Sequence, residues 1–391
     1  MQSQELAARI GIDPSAMSNI ESGKRSVKAS ELVAIAAALS VSPLALLDED
    51  SLPARMHLAA RADGEQHSIG GRANSRLLAL TELHAVLNDA GLTTTSDLAD
   101  VPRLDHWSWK AVAQELAVWA TKELRVDAVD IKRFARLADA IQTRFRVDVL
   151  VEEYPGDPLS GAAITDREFP LIFVNSQHPT PRSLFTLAHE LGHLLLSHDG
   201  ALVVDDNLAG TTQDERQANA FAAAFLMPEE KVDEYVDSYG LGAESLARMI
   251  CNFGVSFESL VFRLHNLREI SGEDCDSLHA IGWQGLLRVI EGSGLRQRLG
   301  PEISMRLISR LDQHPAERPP IWLANRCLTG YQQGIVSARP LAGLFNLDPE
   351  EFLDRIQEND GKSAGVLERV EEAVPGEHVS DDDLFAGSPV S

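Results

Sequence analysis

Cysteine is scarce: Cys251, Cys275 and Cys327 are the only three in a chain of 391 residues. They share no CxxC spacing and an odd number cannot all pair, which argues against a disulfide framework and for a reducing compartment, the cytoplasm. Long hydrophobic runs are missing too. The longest apolar candidate, Leu32 to Leu47, is interrupted by Ser40, Ser42 and Pro43, so no membrane span is expected. The amino terminus, MQSQELAARIG, lacks the basic and apolar regions of a secretion signal. Positive charge is the third shortage, with 35 Lys and Arg against 59 Asp and Glu and a formal net charge of −24. A surface of that sign repels polyphosphate, and any DNA contact must come from a local basic patch.

What is present is ordinary globular material, 44% hydrophobic and 24% charged, in a chain long enough for about two to four compact units. Within it lies His189-Glu190-Leu191-Gly192-His193, set inside LFTLAHELGHLLL. Two imidazoles four residues apart share one face of a helix and can grip a single Zn²⁺, while the Glu between them can act on a water. Leu184, Phe185, Leu187, Ala188, Leu191, Leu194 and Leu195 make that helix apolar nearly all round, which marks it as buried. Burial without partners would cost the histidines and the carboxylate about 1–3 kcal/mol each. A metal supplies partners; a pair of core histidines satisfied by hydrogen bonds is the plainer alternative.

Residues 3–47 read as short, well-punctuated helices. Ser3 can cap a helix through Arg9 that Gly11 ends, and Asp13-Pro14 starts a second that Gly23 closes. A third runs from about Ser30 to Leu39, with Leu32, Ile35, Ala36 and Leu39 on one face. The string SQELAARIGIDPSAMSNIESGKRSV resembles the Xre/Cro-type helix-turn-helix family, beginning at that family's second helix with only Met1 and Gln2 ahead of it. The resemblance implies a recognition helix at Pro14–Ser22, with Ser15, Ser18 and Asn19 facing bases and Lys24 and Arg25 meeting phosphates. The segment itself is not basic, and a helical module that docks a protein partner is the alternative.

Residues 51–105 hold one helix, Ser75 to Asn88, and read as a spacer without chemistry. Trp109–Glu123 and Ile131–Thr143 are helical by periodicity, and the alternation over Arg146–Val151 reads as a strand. Gly161–Thr165 and Leu171–Val174 form a hairpin across Asp166-Arg167-Glu168. Leu171–Val174 is the candidate for holding a substrate backbone as one more strand. Thr180 and Pro181 serve as N-cap and first residue of the HELGH helix, which Asp199-Gly200 stops. Arg182 sits in its first turn, wrongly signed for the helix dipole, and implies a carboxylate partner, structural or on a substrate.

A catalytic zinc takes three protein ligands, and a third must be found. Asp199 stands where an HExxHxxGxxH pattern would place it, but Leu196 replaces the turning glycine and that route fails. His198 reads as a helix-end histidine. Glu215 opens the helix DERQANAFAAAFLMP and shares a small-residue face with Ala218, Asn219 and Ala222, so it can approach the zinc helix closely. Asp214 is the runner-up, and an acidic first turn that merely complements the dipole is the plain alternative. Tyr235, Tyr239, His178 and His198 are open candidates for stabilising an oxyanion.

VNSQHPTPRSLFTLAHELGHLLL followed by DERQANAFAAAFLMP resembles the ImmA/IrrE family of metallopeptidases. The similarity covers about residues 107–270 and ends in FGVSFESLVFRLHNL. It implies zinc ligation by His189, His193 and Glu215, catalysis by Glu190, and helix-turn-helix repressors as substrates. Residues 277–357 are helical again (Ser277–Glu291, Pro301–Leu311, Pro320–Gln333, Ala338–Phe345 and Pro349–Gln357), with GIVSARPLAGLFNLDPEEF resembling a second small helix-turn-helix element. The acidic stretch after Glu358 reads as disordered.

The expected fold is mainly α (α+β): a helical zincin-like metallopeptidase domain with a small β-sheet, flanked by helix-turn-helix-type modules. The expected divisions are 1–50 helix-turn-helix, 51–106 spacer, 107–230 metallopeptidase domain, 231–272 small helical domain, 277–357 carboxy-terminal helices and 358–391 tail. The expected function is a cytoplasmic zinc endopeptidase, one Zn²⁺ per chain, that cleaves a helix-turn-helix repressor and has operator DNA as a partner through residues 1–50. The competing class is a DNA-binding regulator or antitoxin whose peptidase-like domain is not catalytic.

Overall fold

The computed structural model describes residues 3–39, 43, 46–47, 71–104, 108–126, 133–197, 203–205, 212–309 and 313–358. The acidic tail, His198, the Asp199-Gly200 stop and residues 51–70 lie outside these described residues.

Three short helices open the chain: α1 (Ser3–Ile10), α2 (Pro14–Glu21) and α3 (Ala29–Leu39). Asp13 caps α2, its carboxylate accepting the Ser15 amide at 2.8 Å with Pro14 in the first turn. Gly11 and Gly23 take φ of +73° and +69°, the left-handed turns that both inter-helix corners require. Leu6, Ala7, Met17 and Ile35 form this module's own small core.

After α4 (Arg72–Asp89), α5 (Trp109–Leu124) and α6 (Arg133–Phe145) come the strands β1 (Asp148–Glu152), β2 (Gly161–Ile164), β3 (Leu171–Asn175) and β4 (Val203–Asp205). They form one sheet in the order β1-β3-β2-β4, with β1 parallel to β3 and β2 antiparallel to both neighbours. The HELGH segment occupies α7 (Thr180–Leu195), and Glu215 opens α8 (Gln213–Leu226). The remaining helices are α9 (Glu229–Tyr239), α10 (Ala243–Phe253), α11 (Phe257–Leu267), α12 (Gly272–Gly292), α13 (Leu295–Ser309), α14 (Ile321–Gln332), α15 (Ala338–Leu344) and α16 (Pro349–Glu358). Helices α12 and α13 each break at a glycine with positive φ, Gly282 and Gly300. The chain is thus mainly helical around one small sheet. Among the described residues no helix is long and apolar enough to cross a membrane.

Every residue of β1, β2 and β3 is buried, so the sheet must be covered on both sides. Alternation along the strands sends Val149, Val151, Ala163, Ile172 and Val174 to a core shared with α5, α6, α7, α8, α10 and α11. Leu150, Ala162, Ile164, Leu171 and Phe173 point the other way, into a second core with Ala73, Leu77 and Leu80 of α4 and Leu323, Ala324 and Cys327 of α14. Residues 72–89, expected as spacer, therefore form part of the sheet's second layer together with the carboxy-terminal helices. Long-range polar contacts fasten that layer: Arg76 pairs with Glu152 at 2.7 Å, and Asp148 accepts the Trp322 and Leu323 amides at 2.8 and 3.0 Å. All three cysteines are buried and free.

Three expectations change. Strand β3 lies between β1 and β2, both its edges are bonded, and Leu171–Val174 cannot accept a peptide. The outer edge of β1 is bridged at Val151 by Arg318, with N–H···O contacts of 3.0 and 2.9 Å, which leaves β4 as the sheet's open edge among the described residues. Strand β1 starts at Asp148 because Arg146 adopts φ +52° at the turn from α6. Thr180 is the first residue of α7 and not its cap; its hydroxyl donates to the Gln313 carbonyl at 2.9 Å.

Candidate metal centre

His189 and His193 stand one turn apart on α7, fully buried, with their Nε2 atoms 3.0 Å from each other. Glu215 reaches both from the first turn of α8: Oε2 lies 3.2 Å from His189 Nε2 and Oε1 3.3 Å from His193 Nε2. The Thr212 hydroxyl accepts the Glu215 amide at 3.2 Å and so fixes where α8 begins. Close approach of the two helices depends on small residues. A Cβ on Gly192 would stand 3.0 Å from Phe221 Cδ1 and 3.3 Å from Ala218 Cα.

The donor set fits a divalent ion. Asn219 Oδ1 lies 3.1 Å from His189 Nδ1, and an amide oxygen only accepts, so Nδ1 carries the proton and Nε2 turns its lone pair inward. Ligand atoms around one tetrahedral zinc stand about 3.3–3.6 Å apart, given bonds of about 2.0–2.2 Å. The separations here, 3.0 to 3.3 Å, are close to that figure. Among the described residues, these three are the one His, Cys, Asp and Glu group of metal-binding size. Burial alone would raise the Glu215 carboxyl, but with a proton on His189 and His193 their hydrogen bonds and charge outweigh it and hold the group at about 2. The carboxylate is therefore anionic throughout the neutral range. Asp214 is exposed and stands outside the cluster.

Glu190 is fully buried beside the histidines, under the start of β2. A Cβ on Gly161 would meet Thr186 Cγ2 at 2.3 Å and Glu190 Oε1 at 3.0 Å, so only glycine lets the strand lie this close to α7. One residue earlier, Ser160 Oγ accepts from Arg182 Nη2 at 2.9 Å and lies 3.2 Å from His178 Nε2. Arg182 has no carboxylate partner among the described residues. His178 is pushed down to about 4, by burial first and then by the charges of Arg182 and His314, and is neutral at pH 7. Tyr235 is directed to α10, where Asn252 donates to its hydroxyl at 2.6 Å, and Tyr239 lies beneath the Arg248 guanidinium at 4.6 Å.

In the amino-terminal module Ser15, Ser18 and Asn19 are exposed on α2, while Met17 faces the core. Lys24 is exposed; Arg25 is tied to Glu31 at 2.7 Å, which neutralises the charge expected to meet phosphate.

Sequence reading missed Gly161, Gly192 and the Thr212 cap as positioning residues. A glycine inside a buried strand was the available signal for the first.

Residues 142–265 match the family described as IrrE N-terminal-like domain, and residues 1–46 match the one described as Helix-turn-helix. Two curated relatives, each named Radiation response metalloprotease IrrE, come from Deinococcus deserti and Deinococcus radiodurans. Both are 36% identical over 104 residues, which is 25% of this chain and 37% and 32% of theirs. The chain thus spans about a third of the length of the curated relatives it matches. On these matches residues 142–265 are similar to the IrrE N-terminal-like domain family, in a chain whose residues 1–46 are similar to helix-turn-helix modules.

Proposed function

We propose that this chain is a zinc-dependent endopeptidase that cleaves a helix-turn-helix repressor and thereby relieves repression of stress-response or mobile-element genes. The observation that carries the reading is the convergence of His189, His193 and Glu215 on one space, with Glu190 next to it. The repressor substrate rests on the family resemblance and on the radiation-response role in the relatives' name.

His189, His193 and Glu215 would hold one zinc ion, and Asn219 would fix the tautomer and ring orientation of His189. When bound, zinc lowers the pKa of a water toward about 7 and polarises a carbonyl. Glu190, buried and adjacent, takes the proton of the attacking water and delivers it to the leaving amine. Its enclosure under β2 keeps bulk water from competing for that proton.

Operator DNA is the second partner assigned to residues 1–50, through the exposed Ser15, Ser18 and Asn19 face of α2 with Lys24 beside it. Ion pairing of Arg25 with Glu31 makes this contact weak on its own, which favours targeting over repression as its role.

Incubation with helix-turn-helix repressors encoded near the gene tests the reading. Zinc-loaded wild type should cut one of them at a single position, and Glu190→Gln should bind zinc equally but fail to cut. Cleavage by both proteins, or by neither with zinc present, overturns it.

A further inference from the structure

Arg182, Thr186 and Glu190 recur every four residues and form one ridge of α7. The start of β2 lies along this ridge, with Ser160 bonded to Arg182 and Gly161 against Thr186 and Glu190. At the Arg182 end, the side chains of Arg182, His178 and His314 come together, with no acid among the described residues at ion-pair distance from Arg182. Arg182 is exposed, His178 is half-buried against Ser160, and His314 is exposed with its Nδ1 on the Ser176 carbonyl at 2.8 Å. Among the described residues the hydrogen-bond acceptor of Arg182 is the buried Ser160 hydroxyl, which engages a single nitrogen of a five-donor fork.

With His178 neutral at pH 7, the charge that stands unfavourably here is that of Arg182. A cation in the first turn of a helix opposes the dipole at a cost of about 0.3–1 kcal/mol. A chain with net charge −24 has abundant carboxylates, yet among the described residues none pairs with Arg182. An anion would offset the unfavourable placement of this charge and could take the guanidinium nitrogens that Ser160 does not engage in a bidentate contact.

We propose that Arg182, with His178 and His314, forms a carboxylate subsite that recognises an acidic residue or a free carboxy terminus on the peptide bound at Glu190. The inference rests on the endopeptidase reading and adds a substrate preference to it. Arg182 and Glu190 are eight residues apart, about 12 Å along the helix axis. Extended peptide covers that span in about three or four residues. The subsite therefore reads a position about three or four residues from the scissile bond.

The test is binding to the full-length protein carrying Glu190→Gln, with carbon-13-labelled histidine rings followed by NMR. N-acetylglutamate N-methylamide probes an acidic side chain, N-acetylalanine a terminal carboxylate, and N-acetylglutamine N-methylamide serves as the neutral control. Saturable shifts of the His178 and His314 signals are expected with at least one carboxylate and not with the control. Whichever carboxylate binds identifies the source. Arg182→Gln should weaken binding at least tenfold, and Arg182→Lys should recover part of it. His314→Gln, an exposed change with little bearing on folding, should weaken it severalfold. Equal binding of the neutral control, no saturable shift with either carboxylate, or undiminished binding by Arg182→Gln overturns the proposal. Zinc uptake and repressor cleavage are scored separately on the wild type. Lost cleavage with intact carboxylate binding would sink the peptidase reading, whereas intact cleavage without carboxylate binding would sink only the subsite.

Discussion

Asn219 shows how much of a metal site lies one bond beyond its ligands. Its Oδ1 holds His189 Nδ1 at 3.1 Å, so replacing it with Ala frees the ring to rotate and to switch tautomer. Asn219→Ala should lower zinc affinity about 10–100-fold, read by competition with a chromophoric chelator, without changing the metal-free melting temperature by more than a degree or two. Unchanged affinity would mean that packing alone orients the ring.

Asp148 carries a different prediction. Full burial pushes its carboxyl up to about 7 from 3.8, against the amides of Trp322 and Leu323, which favour the charged form. The folded state thus holds the proton more tightly than the unfolded chain. This group's contribution to stability is full below about pH 4, falls as pH rises toward 7, and is constant above that. His84 and His178, both held near 4 chiefly by burial, act in the opposite sense, adding stability as pH rises from about 4 to 6.5. Comparison with Asp148→Asn isolates the carboxyl. The melting temperature of the wild type minus that of the variant should decline between pH 5 and 7.5, and a flat difference would refute the assignment.

At the scale of elements, the site depends on two close approaches. Gly192→Ala places a methyl 3.0 Å from Phe221 Cδ1 and 3.3 Å from the Ala218 backbone, and α7 and α8 must part by a few tenths of an ångström. Overpacking of this kind costs about 1–3 kcal/mol, and because Glu215 rides on α8 the zinc affinity should fall with it. Calorimetry and zinc titration on one sample check both; loss of stability with full zinc affinity would show that α8 adjusts without moving its first turn. Gly161→Ala is the harsher change, since its methyl meets Thr186 Cγ2 at 2.3 Å. Arg133 holds two helix ends at once, donating to the Leu226 and Phe253 carbonyls at 3.0 and 2.9 Å. Its replacement by Met would strand those buried acceptors and should cost about 2–4 kcal/mol in chemical denaturation.

Local patterns were legible at this scale because their causes are local. The i, i+4 histidines, the Asp13-Pro14 helix start, the Gly11 and Gly23 corners and the β2–β3 hairpin can each be read from a few neighbouring residues. The convergence of Glu215 could be anticipated from the small face of α8. The insertion of β1 beside β3 could not, because parallel pairing is set by packing across the whole domain. Nor could the partners of Arg133 in α8 and α10 or of Asp148 in α14, which lie 93 to 175 residues away. Residues 72–89 read as a spacer in the sequence because their own pattern does not announce what they cover.

For the molecule as a whole, the two sides of the sheet have different origins in the chain. One side packs on helices drawn from residues 109–267, and the other on α4 and on α14 to α16. Residues 3–39, in contrast, bury Leu6, Ala7, Met17 and Ile35 among themselves. Removal of residues 1–47 should therefore leave zinc binding intact and shift the melting temperature by no more than about 2 °C. Truncation before Pro320 should yield aggregated protein, since it bares Leu150, Ala162, Leu171 and Phe173. Size-exclusion chromatography of both truncations checks this, and a soluble, monomeric product of the second would contradict the two-layer account.

The amides that bind Asp148 come 174 and 175 residues after it in the chain. Ribosomes add about 5–20 residues per second, so β1 waits roughly 10–35 s for α14 to emerge. Through that interval the nascent polypeptide exposes a sheet face of leucine, isoleucine and phenylalanine. The gene product is born with a built-in need for a holdase, or for slow translation that keeps neighbouring copies apart.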